Sequence, residues 1–304
     1  MNRIILSFVF LFALESATLA QTNYSYEQKG EFGFSIGAAH YFGDLNTRTG
    51  LSKPKPSFGL FFRKQFGDYV GLRVAGRYAQ VGYSDEYNKT NDYQRARNLS
   101  FNSNIFEFAV QGDFNFYKFI PTDLNYGFTP YVTLGVGFFS FDPYTFLDGT
   151  KHYLQPIGTE GQQSGYMGRT PYSLMSVCVP FGVGVKYSLN PKVNISFEIT
   201  QRFTTTDYLD DVSTTYATNY LTTIPNDPER PDCFPTDQAY TPGAPYVPSV
   251  AYLLQDRSYE TLPGNQLSNV EGRQRGWSKQ KDQYVIAEIG ISFNIGSYRC
   301  PTSN

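Results

Sequence analysis

Charged side chains recur at alternate positions of segments whose remaining positions are Phe, Val, Ile or Tyr, and any chemistry this chain performs must start there. Arg63, Arg73, Arg77, Lys186 and Arg202 supply cations, and Glu107, Asp113, Glu198 and Glu288 supply anions. A period of two places each set on one face of a strand. If that face is enclosed, each charge needs a partner to offset its desolvation, so a packed network of ion pairs is expected. A solute pathway lined by the same groups is the alternative. Catalysis would need a nucleophile with a base in reach. The two histidines are His40, on the apolar side of its segment, and His152, in mid-loop. Neither has a Ser and an acidic companion at fixed spacing, so the chain reads as non-catalytic and without a cofactor. Asp207-Tyr208-Leu209-Asp210-Asp211 brings together carboxylates that suit a hard cation such as Ca²⁺. It lacks the ligand spacing of a calcium loop, and turn capping by Asp207, Asp210 and Asp211 is favoured. Cys178, Cys233 and Cys300 form no Cys-x-x-Cys, which argues against a thiolate metal site.

The element that must position these charges is clearest at residues 105–117, IFEFAVQGDFNFY. Phe106, Phe108, Val110, Phe114 and Phe116 point one way, with Gly112 among them; Glu107, Ala109, Gln111, Asp113 and Asn115 point the other. A helix would scatter these rings, whereas a strand collects them. A greasy outside and a polar inside is the pattern of a transmembrane β-barrel strand. Comparable segments cover residues 31–40, 57–66, 69–83, 129–141, 174–187, 193–203 and 283–295. The connections alternate: 43–56 long, Gly67-Asp68 short, 85–98 long, 119–128 moderate, 142–171 long, Asn190-Pro191 short, 204–281 very long. An up-and-down barrel with both ends in the periplasm predicts short inner turns and long outer loops. The fold class is therefore all-β, an eight-stranded antiparallel transmembrane barrel. A secreted sandwich or lipocalin-like barrel would invert the faces, and periodicity alone does not say which face meets lipid. The loop segment 154–162 reads as a structured cap or a partner-binding stretch.

Composition agrees with the barrel. Among 304 residues 17% are aromatic, nearly all Phe and Tyr, while overall hydropathy is negative. A soluble core would lean on Leu, Ile and Val; girdles of rings are expected at membrane interfaces. A net charge of -2 gives no hint of a nucleic-acid partner. Residues 1–20 read as a cleaved signal peptide: Arg3, an apolar run, and Thr18-Leu19-Ala20 before Gln21. An uncleaved anchor helix is the other reading, but Glu15 and Ser16 end the run early. Gln21 in place of Cys gives no sign of a lipoprotein anchor. Residues 21–30 form a flexible segment, 31–295 the barrel and 296–304 a periplasmic tail, which places the protein in a Gram-negative outer membrane. Three cysteines in an oxidising compartment permit one disulfide and leave a thiol over, with the pairing open.

Several stretches are more specific. Tyr41-Phe42-Gly43-Asp44-Leu45, Arg97-Asn98-Leu99-Ser100-Phe101, Phe128-Thr129-Pro130-Tyr131 and Gly135-Val136-Gly137-Phe138-Phe139 come first. Leu154-Gln155-Pro156-Ile157-Gly158-Thr159-Glu160-Gly161, Pro180-Phe181-Gly182-Val183-Gly184-Val185-Lys186, Asp207-Tyr208-Leu209-Asp210-Asp211-Val212-Ser213-Thr214-Thr215-Tyr216 and Arg299-Cys300-Pro301 follow. Together, in this order, they resemble the PorG-like outer-membrane barrel family of Bacteroidetes, also met as domain of unknown function 6089. The resemblance implies a component of the type IX secretion system that ties a periplasmic ring, a lipoprotein plus a partner protein, to the outer membrane. It implies no catalytic residues. Its partners would be outer-membrane lipid and the ring proteins, with docking on Gly67, Asp68, Pro121, Asp123, Asn125, Asn190, Lys192 and the termini. A barrel that binds at the cell surface through its long loops is the alternative. Cys300 would lie on the periplasmic side and Cys233 in an outer loop, so those two should not pair within one chain.

Overall fold

The computed structural model describes residues 27–47, 53–121, 123–217, 250–262 and 272–297. Alternating ring-bearing and polar positions form strands β1 (Glu27–Phe42), β2 (Lys55–Phe66), β3 (Val70–Ser84), β4 (Ser100–Asn115) and β5 (Phe128–Ser140). They continue as β6 (Pro143–Leu147), β7 (Thr150–Tyr153), β8 (Met175–Asn190), β9 (Val193–Thr204) and β10 (Gln283–Ser297). Eight of these close a wall in the order β1-β2-β3-β4-β5-β8-β9-β10, with β10 returning to β1. Every neighbour is antiparallel. The chain is a closed, eight-stranded, up-and-down transmembrane β-barrel.

The wall decides which face meets lipid. On β4 Phe106 is 61% exposed and Phe108 56%, while Glu107 is 4% exposed and Gln111 wholly buried. The same parity holds around the barrel: Phe34, Leu60, Val74, Leu134, Val183, Phe197 and Ile289 are exposed, and Arg63, Arg73, Thr133, Lys186, Glu198 and Glu288 are buried. The lipocalin-like inversion is thereby overturned. On β4 and β5 the apolar band runs from Phe106 to Phe116 and from Phe128 to Phe138. At about 3.3 Å per residue and a tilt near 40° it is roughly 25 Å tall, the height of an outward-facing apolar belt.

Strand ends and loops differ in places from the sequence reading. β1 starts at Glu27, so residues 27–30 belong to the wall rather than to a flexible leader, and β10 runs on to Ser297. The stretch read as loop 85–98 contains a helix, Asp92–Arg97, capped by the Asn91 side chain at one end and by left-handed Asn98 at the other. Loop 142–171 contains the β6–β7 hairpin and a helical turn, Leu154–Ile157, closed by Gly158 at φ 69°. Loop 204–281 contains the helix Val250–Gln255. At the opposite end Gly67, at φ 66°, makes the tight turn between β2 and β3 that few other residues would accommodate.

The lipid-facing assignment has a direct thermodynamic consequence. Val110→Arg, near mid-height of the belt, should destabilise the barrel by about 2–4 kcal/mol, read as a lower urea midpoint for unfolding from lipid vesicles. An unchanged midpoint would mean that Val110 does not face acyl chains.

Candidate functional site

Inside the wall, side chains from facing strands reach across the axis. Arg63 on β2 pairs with Glu31 on β1 and Asp113 on β4. Arg73 on β3 lies 3.3 Å from Asp113 and 2.7 Å from Glu198 on β9. Arg77, one inward position further up β3 from Ala75, contacts Glu107 and Glu288, each at 3.3 Å. Arg202 donates to Glu107 at 3.0 Å. Neutral donors complete the set: Tyr131 to Glu198 and Tyr284 to Glu107, both at 2.8 Å, and Ser292 to Glu31 at 2.6 Å. The predicted lumen residues Arg63, Arg73, Arg77, Glu107, Asp113, Glu198, Arg202 and Glu288 are thus brought into one buried network. Glu31, which the sequence reading did not include, is its missing anion. With Lys186, five buried basic side chains stand beside five buried acidic ones. Among Ser35, Phe61, Tyr131, Glu198 and Glu288 there is room for about one water molecule.

Lys186 is placed differently from the arginines. Its Nζ has no hydrogen-bond partner among the described residues and instead sits 4.5 Å from the centre of the Phe119 ring and 5.7 Å from that of Tyr131. Phe119 belongs to the turn between β4 and β5, which folds inward and closes the short-turn end of the barrel. Pro121 in the same turn is buried, its carbonyl accepting from Ser188 Oγ at 3.2 Å. That corrects its placement among the docking residues, since it is covered by its own barrel. Gly67, Asn125, Asn190 and Lys192 are exposed on this rim, and Asp68 and Asp123 are half-buried. Asp68 pairs with Lys118 at 3.1 Å, Asp123 caps Asn125 N–H, and Asn190 caps the turn at Lys192 and Val193.

The long-loop end is closed by a cap. Directly above the ion pairs lies an apolar layer that includes Tyr41, Phe101, Phe139, Phe141, Leu209 and Ile286. Over it the segments around Glu160 and Asp207 pack together. Glu160, fully buried, accepts from Ser213 N–H at 2.9 Å, Thr214 N–H at 3.1 Å and the Arg275 guanidinium at 3.0 Å. Arg97, at the end of the helix Asp92–Arg97, holds Asp85 through two contacts of 2.7 and 2.8 Å and donates to the Arg275 carbonyl at 2.9 Å. Stretch 154–162 is therefore a structural cap rather than an open loop.

Asp207, Asp210 and Asp211 do not converge on a common ligand position, which corrects their reading as a weak cation site. Asp207 accepts from Ser213 Oγ at 2.6 Å, Asp210 from Tyr41 and Val212 N–H, and Asp211 from Thr159 and Tyr172. Among the described residues no group of three His, Cys, Asp or Glu is arranged to hold a metal ion. His40 lies on the outward side of β1 but is 4% exposed, because Asn46 and Phe42 cover it. His152 lies not in irregular chain but on β7, opposite Thr145. Cys178 is a buried free thiol on the inner face of β8; Cys233 and Cys300 lie outside the described residues.

The cap collects carboxylates faster than cations. Tyr41 has one hydroxyl proton yet contacts two acids, Asp210 and, at 3.1 Å, Asp282, so the second contact is a hydrogen bond only if that carboxyl is protonated. Burial, with Asp44 and Asp207 nearby, holds Asp210 and Asp282 well above the usual carboxylate range. Burial also pushes Asp207 up to about 7 and Asp44 to about 6, and lifts Asp211 to about 6 against the pull of Arg275.

A wall with lipid-facing rings, an ion-paired polar lumen and closures at both ends defines a membrane-spanning β-barrel whose described residues leave no open pore. The chain matches the family described as "Domain of unknown function (DUF6089)" over residues 5–223, and it belongs to that family. No curated protein matches it. Similar solved structures include Neisserial surface protein A, 10% identical, with 89% of this chain and 99% of that chain covered and a TM-score of 0.39. The N-terminal β-barrel domain of Pseudomonas aeruginosa OprF is 9% identical over 88% of this chain and 100% of that chain, TM-score 0.35. The attachment invasion locus protein Ail of Yersinia pestis, in complex with the heparin analogue sucrose octasulfate, is 12% identical over 88% and 99%, TM-score 0.36.

The acids of the cap fix the sign of its pH response. Their folded values lie above the ordinary 3.8, so their protons are bound more tightly in the closed cap than in an opened one. The cap is tightest below about pH 4 and loses stability as pH rises towards 7. Hydrogen exchange in segments 154–161 and 206–217 should be slower at pH 5 than at pH 8, after correction for intrinsic rates, and Asp210→Asn should flatten the difference. Tighter protection at pH 8 would contradict these assignments.

Proposed function

We propose that this protein is a non-catalytic outer-membrane barrel that serves as a structural member of the type IX secretion machinery. In this reading residues 1–20 direct export and are removed, and the barrel ties the periplasmic ring, a lipoprotein with its partner protein, to the membrane. The observation that carries it is the sealed interior: ion pairs across the axis, Phe119 beneath and the Glu160 cap above leave no conduit among the described residues. What remains for interaction is surface. The short-turn rim presents Gly67, Asn125, Asn190 and Lys192 to solvent, on the side where both ends of the wall lie, and the motif resemblance supports a ring as its partner.

One observation favours a second reading, a barrel that binds at the cell surface. The distinctive segments around Glu160 and Asp207 build the outer cap and not the inner turns. A rigid, hydrogen-bonded cap is a suitable platform for a ligand.

A photo-crosslinking residue at Lys192 or Asn125 distinguishes the two in intact cells. Adducts with the periplasmic ring proteins, absent when the probe replaces the exposed Trp277 on the outer side, are the expected result. Rim probes that yield no adduct while the Trp277 probe captures a surface partner would transfer the proposal to the second reading.

A further inference from the structure

The β6–β7 hairpin is an upward extension of the barrel wall. Phe106 faces Ser140 and Ser103 faces Pro143 on β4, so β6 keeps the register of β5 after a two-residue break. Parity is kept as well. Tyr144, opposite Asn102, points outward like Phe138, and so does Phe146; their partners on β7 are Tyr153 and Lys151. The outward wall therefore has three tiers. The apolar belt ends at Phe106 and Phe138. A polar collar follows, with Asn104 accepting from Tyr78 at 3.0 Å and Gln80 at 3.3 Å, and Lys55 donating to Asn102. Above it the aromatic rings return. With about 3.3 Å per residue and a tilt near 40°, Tyr144 and Phe146 stand roughly 15–20 Å beyond the edge of the hydrocarbon.

Rings at that height are too far out to touch acyl chains, yet they are not folded away. Phe146 is 49% and Tyr153 42% exposed, while Tyr144 between them is 8% exposed and backs the patch. Tyr144 meets Phe146 edge-on at 5.9 Å and Tyr153 at 6.0 Å, and Lys151 Nζ lies 3.7 Å from the centre of the Tyr144 ring. Asp142, half-buried, is a neighbouring carboxylate, and no ion pair to Lys151 forms among the described residues. Because the surface is continuous with the lipid-facing wall, it looks sideways across the membrane and not up into the medium. An occupant there has to stand beyond the phospholipid headgroups, which extend only about 5–8 Å from the hydrocarbon, at the height that the sugars of a glycolipid reach. Aromatic faces flanked by amides and a lysine suit the apolar faces and hydroxyls of sugar rings.

We propose that the outward face of the β6–β7 hairpin, with the exposed Phe146, Lys151 and Tyr153 packed around a covered Tyr144, binds the saccharide headgroup of an outer-leaflet glycolipid. This rests on the long-loop end facing outward, as in the proposed function, but not on any role in secretion. The geometry separates two tasks along one wall: the belt holds acyl chains, and the hairpin holds the sugars attached to them. Lys151 and the Asn102–Asn104 collar supply the polar contacts between these layers.

Full-length protein in nanodiscs tests it, with three lipid compositions: phospholipid alone, phospholipid with lipid A, and phospholipid with a lipopolysaccharide truncated to its inner-core sugars. Both faces of a disc carry the glycolipid, so neither orientation in cells nor secretion partners affect the result. Amide exchange across residues 143–153 should slow several-fold with the core-bearing glycolipid only, and the turn between β2 and β3 should not respond. Phe146→Ser with Tyr153→Ser should abolish the protection, while heat-modified gel mobility reports that the barrel is still folded. If that double variant does not fold, Lys151→Glu provides the same comparison at an exposed site. Equal exchange in all three discs, or full protection by lipid A lacking core sugars, would overturn the assignment.

Discussion

A guanidinium withdrawn from water in the middle of a membrane protein must find its counter-charge in the wall that surrounds it. Here Arg63, Arg73, Arg77 and Arg202 project from β2, β3 and β9 and meet Glu31, Glu107, Asp113, Glu198 and Glu288 from four strands, β1, β4, β9 and β10. Removing one member of such a pair typically costs about 3–5 kcal/mol, because the partner is stranded. The network therefore constrains register around the whole barrel: slipping any one strand by a residue would turn its charge towards lipid and its rings inward. Sealing follows from the same side chains, since an eight-stranded interior has just the width that facing side chains fill.

The two ends are closed by different means. At the short-turn end one aromatic ring, Phe119, slides under Lys186. At the long-loop end a layered cap is assembled from segments far apart in the chain, with Glu160 held by Arg275 and by the backbone of residues 213 and 214. The first closure is compact and local. The second contains acids that keep protons, and its rigidity depends on solution pH where the lumen pairs do not face solvent. An interior closed twice leaves the rims and the outer wall as the surfaces through which the protein can act.

How much of this was legible beforehand follows from the range of each interaction. Strand parity is a local property, and residues 105–117 alone separated the two faces of a strand, while the class of fold came from eight such segments and the alternating lengths of their connections. The lumen list followed from the same count and lacked only Glu31, whose position, two before Gly33 and four before Ser35, carried the needed signal. A cap at 154–162 was one of two readings the sequence offered, but its contacts were not legible, because nothing near Glu160 in the chain announces Arg275, and nothing near Tyr41 announces Asp210 or Asp282. The three aspartates cap within their own segment in part, as turn capping predicts, with Ser213 on Asp207 and Val212 N–H on Asp210, while Tyr41, Thr159 and Tyr172 are distant donors that the local sequence does not announce. Pro121 was placed on an exposed turn by its residue type, whereas tertiary packing folds that turn under the barrel. The β6–β7 hairpin was hidden inside a stretch that composition marks only as loop.

The claim on which the account turns is that ion-paired side chains spanning the axis fill and close the lumen. Single-channel recording in planar lipid bilayers tests it most directly. Wild-type barrel, inserted and shown to be folded, should give a flat baseline at either polarity and across physiological salt. A steady, reproducible conductance from the same preparation would show an open axial path and contradict the sealed interior described above.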